Sequence, residues 1–271
     1  MTEPGFKPLI DGEREESTSM VSPNSPEKTF VYGTRATIEA IKAGREIAKV
    51  LVQKNLKNPL IQELLALARE ARAPIQRVPF QKLNRYTKKN HQGVVCLLSS
   101  ISYASLDHIV TQSFAEGRSP LITILDRVTD VRNFGAIART ADAAGVDALV
   151  VPLTGHAQIT EDAIKTSAGA LNYLPVCRVG SLANCLQELK NSGLQVVACS
   201  EKATKFMYQE DLGGPVALLM GSEENGINPE LLKYCDSQVK IPMKGNIASL
   251  NVSVATGLVL FECVRQRSDY K

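Results

Sequence analysis

The sequence predicts an α/β protein built from two domains, and three observations lead to this prediction. From Phe30 onward, short apolar segments alternate with amphipathic ones, as expected when strands alternate with helices. With 271 residues, the chain is long enough for two domains of ordinary size. Its charge is uneven: residues 30–104 contain thirteen Lys and Arg against four Glu, a net +9, whereas residues 119–271 contain fourteen against sixteen acids, a net −2. We therefore expect a basic first domain, which suits a polyanionic partner, and a nearly neutral second one.

The first part of the chain divides into a tail, a compact unit and a connector. Residues 1–28 are rich in Pro, Ser, Glu and Thr, and this composition predicts a disordered tail. Residues 29–100 form the predicted first domain, in which Asn58-Pro59 opens an amphipathic helix. Its predicted strands are 47–52, 75–78 and 93–98. Residues 101–118 are predicted to link the two domains, with a short helix as an option.

The second predicted domain covers residues 119–271. Its predicted strands are 121–125, 148–151, 176–179, 194–199 and 216–220. They are apolar throughout rather than alternating, which favours a mostly parallel sheet covered on both faces. A helix is predicted from Asn133 to about Ala144, and Gly145 ends it.

Composition and motif searches exclude several classes of protein. The six cysteines include no CxxC pair and the three histidines are isolated, so we expect neither metal nor disulfides, but reduced thiols in a cytoplasmic protein. The apolar runs are too short to span a membrane, and no signal peptide is visible. The sequence contains no GxGxxG, P-loop or GxSxG motif, which disfavours common nucleotide sites and esterases.

Polar residues concentrate in three segments near predicted strand ends, where open α/β sheets bind ligands. The first runs from Leu125 to Gly145; in it Asn133 is expected to cap the helix and Gly135 to allow close packing. Arg139 could reach back toward that cap or form a surface ion pair with Asp142.

The second and third segments follow later strands. LMGSEENGINPELL, residues 219–232, holds Glu223 between two glycines. IPMKGNIASLNVSVA, residues 241–255, combines a proline, a glycine turn and the polar residues Asn246, Ser249, Asn251 and Ser253 before an apolar helical run. Four such residues exceed what a helix cap alone requires, and they indicate a site for a polar ligand.

In this order and spacing, the three segments resemble motifs 1, 2 and 3 of the SpoU (TrmH) family of RNA ribose methyltransferases. VYGTRATIEAIKAG and HQGVV in the first domain resemble a small, ribosomal-protein-like RNA-binding domain found in several members. Residues 166–179 are similar to the RlmB subgroup, which methylates a guanosine of 23S ribosomal RNA. The resemblance implies a SPOUT-type knotted α/β domain with a trefoil knot near residues 216–260. It also implies an obligate homodimer whose catalytic groups meet at the subunit interface.

The resemblance also implies roles for particular residues, with S-adenosylmethionine as cofactor. The implied catalytic residues are Asn133, Arg139, Glu223, Ser249 and Asn251. The residues implied to bind the cofactor through their backbone are Leu219, Met220, Gly221, Ile241, Pro242, Met243 and Leu250. A guanidinium does not lose its proton at neutral pH, so we expect Arg139 to bind a phosphate and orient the 2′-hydroxyl rather than act as a base.

The basic first domain is expected to bind RNA, with ribosomal RNA as the first choice of partner. Candidate phosphate contacts are Arg35, Lys82, Arg85, Lys88 and Lys89. Three alternatives stay open at this point: a transfer-RNA ribose methyltransferase, a non-catalytic RNA-binding or ribosome-assembly protein, and, more weakly, a small-molecule nucleotide enzyme.

Overall fold

The structure is a computed structural model that describes residues 30–246 and 249–268. The predicted disordered tail, residues 1–28, lies outside the described residues. So do Ile247 and Ala248, within the third polar segment, and residues 269–271.

The N-terminal part folds around a four-stranded mixed sheet. Its strands lie in the order β1-β4-β2-β3; β2 runs parallel to β3, and β4 is antiparallel to both β1 and β2. The three predicted strands are confirmed, and a short first strand is added. The elements are β1 Phe30–Tyr32, α1 Thr34–Lys42, β2 Ile47–Gln53, α2 Pro59–Glu70, β3 Ile75–Val78, α3 Phe80–Leu83 and β4 Val94–Leu98.

Helix α2 illustrates how this part forms from local signals. The Asn58 side chain accepts a hydrogen bond from the backbone N–H of Ile61 at 2.8 Å, and Pro59 occupies the first helical position, where no N–H is needed. One face of the helix is apolar and buried against the sheet; it consists of Ile61, Leu64, Leu65 and Ala68. The helix predicted to begin at Asn58-Pro59 is confirmed.

A longer helix than predicted occupies the connector. Helix α4 spans Leu106–Ala115, and Ser105 caps its N-terminus. Val110 is buried among apolar residues of the second sheet. The connector therefore packs against the second sheet through one side of α4.

The C-terminal part is built on a seven-stranded sheet. The strand order is β7-β6-β5-β10-β8-β11-β9, and every pairing is parallel, which confirms the predicted mostly parallel sheet. The strands are β5 Leu121–Leu125, β6 Ala148–Pro152, β7 Val176–Val179, β8 Gln195–Cys199, β9 Lys205–Phe206, β10 Val216–Met220 and β11 Ser237–Lys240. The helices are α5 Val131–Ala143, α6 Glu161–Thr166, α7 Leu182–Asn191, α8 Pro229–Leu232 and α9 Val252–Arg267.

Helices cover both faces of this sheet. Residues alternate along a strand between the two faces, so Leu218 of β10 packs in one apolar cluster and Leu219 in the other. The first cluster includes residues of α5, α6 and α9, and the second includes residues of α4, α7 and α8. Burial on both faces explains why these strands are apolar throughout.

Close packing of helices α5 and α6 depends on Gly135. A Cβ added there would lie 2.6 Å from Cβ of Thr166 and 3.0 Å from the carbonyl oxygen of Ala163. The prediction that Gly135 allows close packing is therefore confirmed, and the helix that packs against it is α6.

Contacts of Arg178 join the two parts of the chain. Its guanidinium lies 3.8 Å from the ring centroid of Tyr103 and donates a hydrogen bond to the carbonyl oxygen of Ile47 at 2.7 Å. Arg178 belongs to β7 and Ile47 to β2, so this side chain ties an edge strand of the second sheet to the first sheet.

All six cysteines are free thiols. Burial raises the pKa of five of them to about 12 and that of Cys235 to about 11; the five are Cys96, Cys177, Cys185, Cys199 and Cys263. Thiols with such pKa values are unreactive at neutral pH. Within residues 30–246 and 249–268, no cluster of His, Cys, Asp and Glu suits a metal ion, and no helix is long and apolar enough to cross a membrane.

Candidate active site

The three polar segments meet at one edge of the second sheet. The first follows β5 and the second follows β10, and these neighbouring parallel strands end side by side at Leu125 and Met220. The third follows β11 and leads into α9. The carboxyl ends of parallel strands are the usual ligand position in open α/β sheets, and this arrangement puts the three segments there.

A tight loop of residues 221–226, here called the Gly221 loop, follows β10. Ser222 and Gly226 exchange two backbone hydrogen bonds of 3.1 and 2.9 Å, and Gly226 adopts a φ of +62° that suits glycine. The loop passes so close to its own start that a Cβ on Gly221 would lie 2.5 Å from the carbonyl oxygen of Gly226. Glu223 and Glu224 are exposed at its tip.

A polar network joins one residue from each segment. The Asn251 side-chain amide donates a hydrogen bond to Oδ1 of Asn133 at 3.0 Å and another to Oε1 of Glu223. The Asn251 side-chain oxygen also caps α9 by accepting the backbone N–H of Ser253 at 2.9 Å. Three residues predicted as catalytic therefore lie in one cluster, although 118 positions separate Asn133 from Asn251.

The predicted cap of helix α5 is wrong. The helix begins at Val131, and its N-cap is Asp130, whose carboxylate accepts the backbone N–H of Asn133 at 2.8 Å. A carboxylate three residues before that N–H satisfies it as well as an amide would. The Asn133 side chain is therefore free to join the Asn251 network.

A cavity of about 470 Å³, here called the first cavity, lies between the Gly221 loop and the third segment. Its walls combine apolar side chains from strand ends with exposed loop groups, including the predicted catalytic residues Glu223 and Ser249. Ser200, Glu201 and Lys202 also line it. Sequence reasoning missed these three, although they directly follow β8, and the end of a parallel strand is itself a signal for a ligand site.

The first cavity includes most of the predicted cofactor-binding residues. Those that line it are Met220, Gly221, Ile241, Met243 and Leu250. Leu219 is not part of the lining; its side chain is fully buried on the opposite face of the sheet, and the predicted contact through its backbone stays a prediction. Pro242 is half-buried and is not part of the lining either.

A second cavity, also of about 470 Å³, lies on the other side of the Gly221 loop. The two cavities share Ser222, Glu223, Glu224, Asn225 and Val252 as a common wall. Arg127, Asp130 and Asn133 from the first segment complete the second cavity. The site thus consists of two adjacent compartments separated by a single loop.

Asp126 and Arg127 clamp the Gly221 loop, and sequence reasoning missed both. The buried Asp126 carboxylate accepts the backbone N–H of Asn228 at 2.7 Å, and Arg127 donates to the carbonyl oxygen of Gly226 at 3.0 Å. The two side chains also form an ion pair of 3.0 Å. These contacts connect residues about a hundred positions apart, so no local pattern could have revealed them.

Arg139 lies apart from the network. It is exposed on α5, lines neither cavity and has no hydrogen-bond or ion-pair partner among the described residues. The alternative ion pair with Asp142 is therefore not formed. The next residue along α5, Thr140, lies against α9. A Cβ added to Gly257 of α9 would be only 3.3 Å from Cγ2 of Thr140.

The predicted RNA-contacting residues all belong to the N-terminal part. Arg35 is exposed in the first turn of α1, and Lys82 is half-buried in α3. Arg85, Lys88 and Lys89 are exposed in the segment between α3 and β4. Four of the five thus lie within eight consecutive residues of the sequence, 82–89.

The protein thus has a parallel sheet covered by helices on both faces. It also has a ligand site of two compartments at the strand ends and a basic N-terminal domain. Comparison with known proteins identifies the class. Residues 120–261 match the profile of the SpoU rRNA Methylase family, and residues 30–104 match the RNA 2′-O ribose methyltransferase substrate binding domain.

Individual relatives agree with this match. The chain is similar to YacO of Bacillus subtilis strain 168, which carries the name of a TrmH family tRNA/rRNA methyltransferase, with 36% identity across 90% of this chain and 98% of the relative. It resembles the AdoMet-bound rRNA methyltransferase of Sinorhizobium meliloti, with a TM-score of 0.57, 26% identity and coverage of 89% of this chain and 88% of that one. The A. aeolicus TrmH/SpoU tRNA modifying enzyme matches with a TM-score of 0.51 and 32% identity, over 59% of this chain and 84% of its own.

The chain belongs to the SpoU methylase family. It is an S-adenosylmethionine-dependent RNA methyltransferase with a domain for its RNA substrate. The expectations of cofactor, RNA partner and family are therefore confirmed.

The first cavity fits S-adenosylmethionine. Its volume lies within the range of small-molecule sites, about 300–1,000 Å³. Its lining offers apolar side chains for the adenosine, such as Ile241 and Leu250, and carboxylates such as Glu201 and Glu223 for the cationic groups.

Proposed function

We propose that this protein transfers the methyl group of S-adenosylmethionine to a ribose 2′-hydroxyl, and that its target is a guanosine of 23S ribosomal RNA. One observation carries the proposal: the Asn251 network joins all three segments at the wall between two cavities. We assign the cofactor to the first cavity and the target nucleotide to the second. A reaction between two bound molecules needs adjacent compartments, and alignment of this kind can lower a barrier by about 7–11 kcal/mol.

Ribose rather than base methylation is supported by the description of the N-terminal domain, which is that of 2′-O ribose methyltransferases. The proposed division of the chain is residues 29–100 for binding the RNA substrate, 101–118 as a linker and 119–271 for the reaction. The trefoil knot near residues 216–260 stays a prediction.

The network has a positioning role in this mechanism. When bound, S-adenosylmethionine supplies an activated methyl group. Asn251 holds Asn133 and Glu223 at the wall of the second cavity, and its hydrogen bond to Ser253 fixes it to the start of α9. Glu223 thus orders the wall rather than removing a proton, and Ser249 remains available from the first cavity to contact a ligand.

Arg139 provides electrostatic stabilisation in the proposed mechanism. Its guanidinium has no partner in the described part of the chain, and its fork geometry suits a phosphate. We propose that it binds the phosphate next to the target ribose, orients the 2′-hydroxyl and stabilises the negative charge that develops on its oxygen. The proton leaves to a phosphate oxygen or to water.

The lining of the second cavity favours guanosine. Asp130, Glu223 and Glu224 give it an excess of carboxylates over the single Arg127. Such a cavity repels phosphate and accepts hydrogen bonds from N–H groups. Guanine has an N–H and an amino group side by side on one edge, so a single carboxylate can accept both.

A ribosomal target is favoured over transfer RNA by the extent of the structural matches. The rRNA methyltransferase matches 89% of this chain, whereas the tRNA-modifying enzyme matches 59%. The shorter match cannot include all of the basic N-terminal domain, which would provide additional contacts to RNA.

Nucleoside mass spectrometry of RNA from cells that lack the protein tests this assignment. We expect 2′-O-methylguanosine to decrease in large-subunit ribosomal RNA and to return when the wild-type chain is restored. A change confined to transfer RNA would support the alternative substrate. Unchanged ribose methylation in every stable RNA would refute the proposed function.

A homodimer is the second part of the proposal, and an apolar stripe on α9 supports it. Val254, Leu258 and Phe261 are spaced as one helix face, and their exposed fractions are 51%, 41% and 50%. Helix α9 packs on α5, which carries Arg139. We propose that a second copy covers this stripe and that its Arg139 serves the cavities of the partner; the position of Arg139 outside both cavities of its own chain is consistent with this arrangement.

Phe261→Glu tests the dimer. A buried, unpaired carboxylate at the interface is costly, so we expect a shift from dimer to monomer in light scattering, together with loss of methyl transfer. Tyr173→Glu is the matched control, because Tyr173 is 83% exposed and lies outside the stripe; it should remain dimeric. A wild-type protein that is monomeric and fully active would contradict the proposal.

A further inference from the structure

A long stretch of the N-terminal domain carries positive charge without any acid. Residues 71–106 contain six Lys and Arg and no Asp or Glu. Four of the six are Lys82, Arg85, Lys88 and Lys89, and none of them takes part in an ion pair among the described residues. The half-buried Lys49 lies nearby, where burial and the charge of Lys82 lower its pKa. This surface therefore has a positive potential that the protein itself leaves uncompensated.

An exposed aromatic ring belongs to the same stretch of chain. Phe80 begins α3, only two residues before Lys82, and 47% of it is exposed. A single exposed apolar residue is common on protein surfaces, but an exposed ring together with unpaired cations combines the stacking platform and the positive charge that bind single-stranded nucleic acid. We call Phe80, Lys82, Arg85, Lys88 and Lys89 the Phe80 face.

The ring of Phe80 rests on a rigid support. His91 is buried, and its ring centroid lies 4.9 Å from that of Phe80. The backbone N–H of Gly93 donates to Nδ1 of His91 at 3.0 Å, so Nε2 carries the proton and donates to Oδ1 of Asn84 at 3.0 Å. These two bonds fix the imidazole, which in turn limits the motion of the phenyl ring above it.

We propose that the Phe80 face binds an unpaired nucleotide of the RNA substrate by stacking its base on Phe80, while the surrounding cations hold the flanking phosphates. The inference rests on the RNA-binding role of this domain and holds whichever ribose is methylated. Bases in a duplex are stacked on each other and cannot offer a face to the protein. Unpaired bases can, and each aromatic stack contributes about 1–3 kcal/mol.

The matching ligand is therefore single-stranded or bulged RNA rather than a regular helix. A surface of cations alone would bind both forms through their phosphates, with strong salt dependence. The aromatic ring adds a preference for unpaired bases, so the two contributions can be separated by experiment.

Fluorescence anisotropy with the full-length protein, without S-adenosylmethionine, tests the proposal. The probes are a single-stranded RNA of about twelve nucleotides, within the range of known single-strand site sizes, and a duplex of the same length. We expect Phe80→Ala to weaken single-strand binding about 5- to 100-fold, which corresponds to the loss of one stack, and to change duplex binding less than about twofold. Phe80→Tyr should restore affinity, whereas Phe80→Leu should not, because leucine keeps apolar area but lacks a π face.

The control and the salt dependence complete the design. Phe114→Ala removes another exposed ring, 39% exposed on α4, and should leave both affinities unchanged. The salt slope for the single strand should stay the same in Phe80→Ala and fall by about 0.7 in Lys88→Ala. Wild-type affinity of Phe80→Ala for the single strand, or an equal loss for strand and duplex, would overturn the proposal.

Discussion

Arg139→Lys should lower the turnover number about 100-fold while leaving S-adenosylmethionine affinity unchanged. Lysine keeps the positive charge but lacks the planar fork that holds two phosphate oxygens at once, so the 2′-hydroxyl would be poorly oriented. Arg139 lines neither cavity, and its loss should not disturb the Asn251 network. Single-turnover methyl transfer and calorimetric titration of the cofactor measure the two quantities separately.

Arg132→Lys is the matched control for this experiment. Arg132 is also exposed on α5, seven residues earlier, and is not part of the proposed mechanism. We expect its turnover to remain close to that of the wild type. Near-normal turnover in Arg139→Lys would show that charge alone suffices, and the orienting role proposed for the guanidinium would then be wrong.

Gly221→Ala should abolish activity and weaken S-adenosylmethionine binding at least about 100-fold, or about 2.7 kcal/mol. The new Cβ would lie 2.5 Å from the carbonyl oxygen of Gly226 and closer still to two other backbone atoms. Backbone cannot rotate aside as a side chain can, so the whole Gly221 loop must move. This loop forms the wall of both cavities and carries Glu223, so both compartments change shape.

Gly214→Ala provides the control at the opposite end of the same strand. Gly214 precedes β10 as Gly221 follows it, and an added Cβ there meets no heavy atom within 4 Å. We expect wild-type cofactor affinity for Gly214→Ala. Thermal unfolding of both variants separates a displaced loop from an unfolded domain, and tight cofactor binding by Gly221→Ala would disprove the role given to the loop.

Prediction from sequence succeeded where the signal was local. The apolar strands of both sheets and the Asn58-Pro59 helix start were found within one or two residues of their observed bounds, since burial on both faces and an N-cap leave short patterns. It failed for β1 and β9, which are only three and two residues long, and for the cap of α5, where Asp130 competed with Asn133. Helix α4 was underestimated because few of its residues are buried.

The same distinction between local and long-range information applies to the candidate site. The three segments, their residue types and the resemblance to a family of RNA methyltransferases could be read from the chain alone, as could the basic character of the N-terminal domain. Only the tertiary structure decided that Asn251 holds Asn133 and Glu223 together, that Asp126 and Arg127 clamp the Gly221 loop, and that Leu219 faces away from the cavity. These contacts depend on how parallel strands are ordered in the sheet, and strand order is set by long-range packing that leaves no mark in the local sequence.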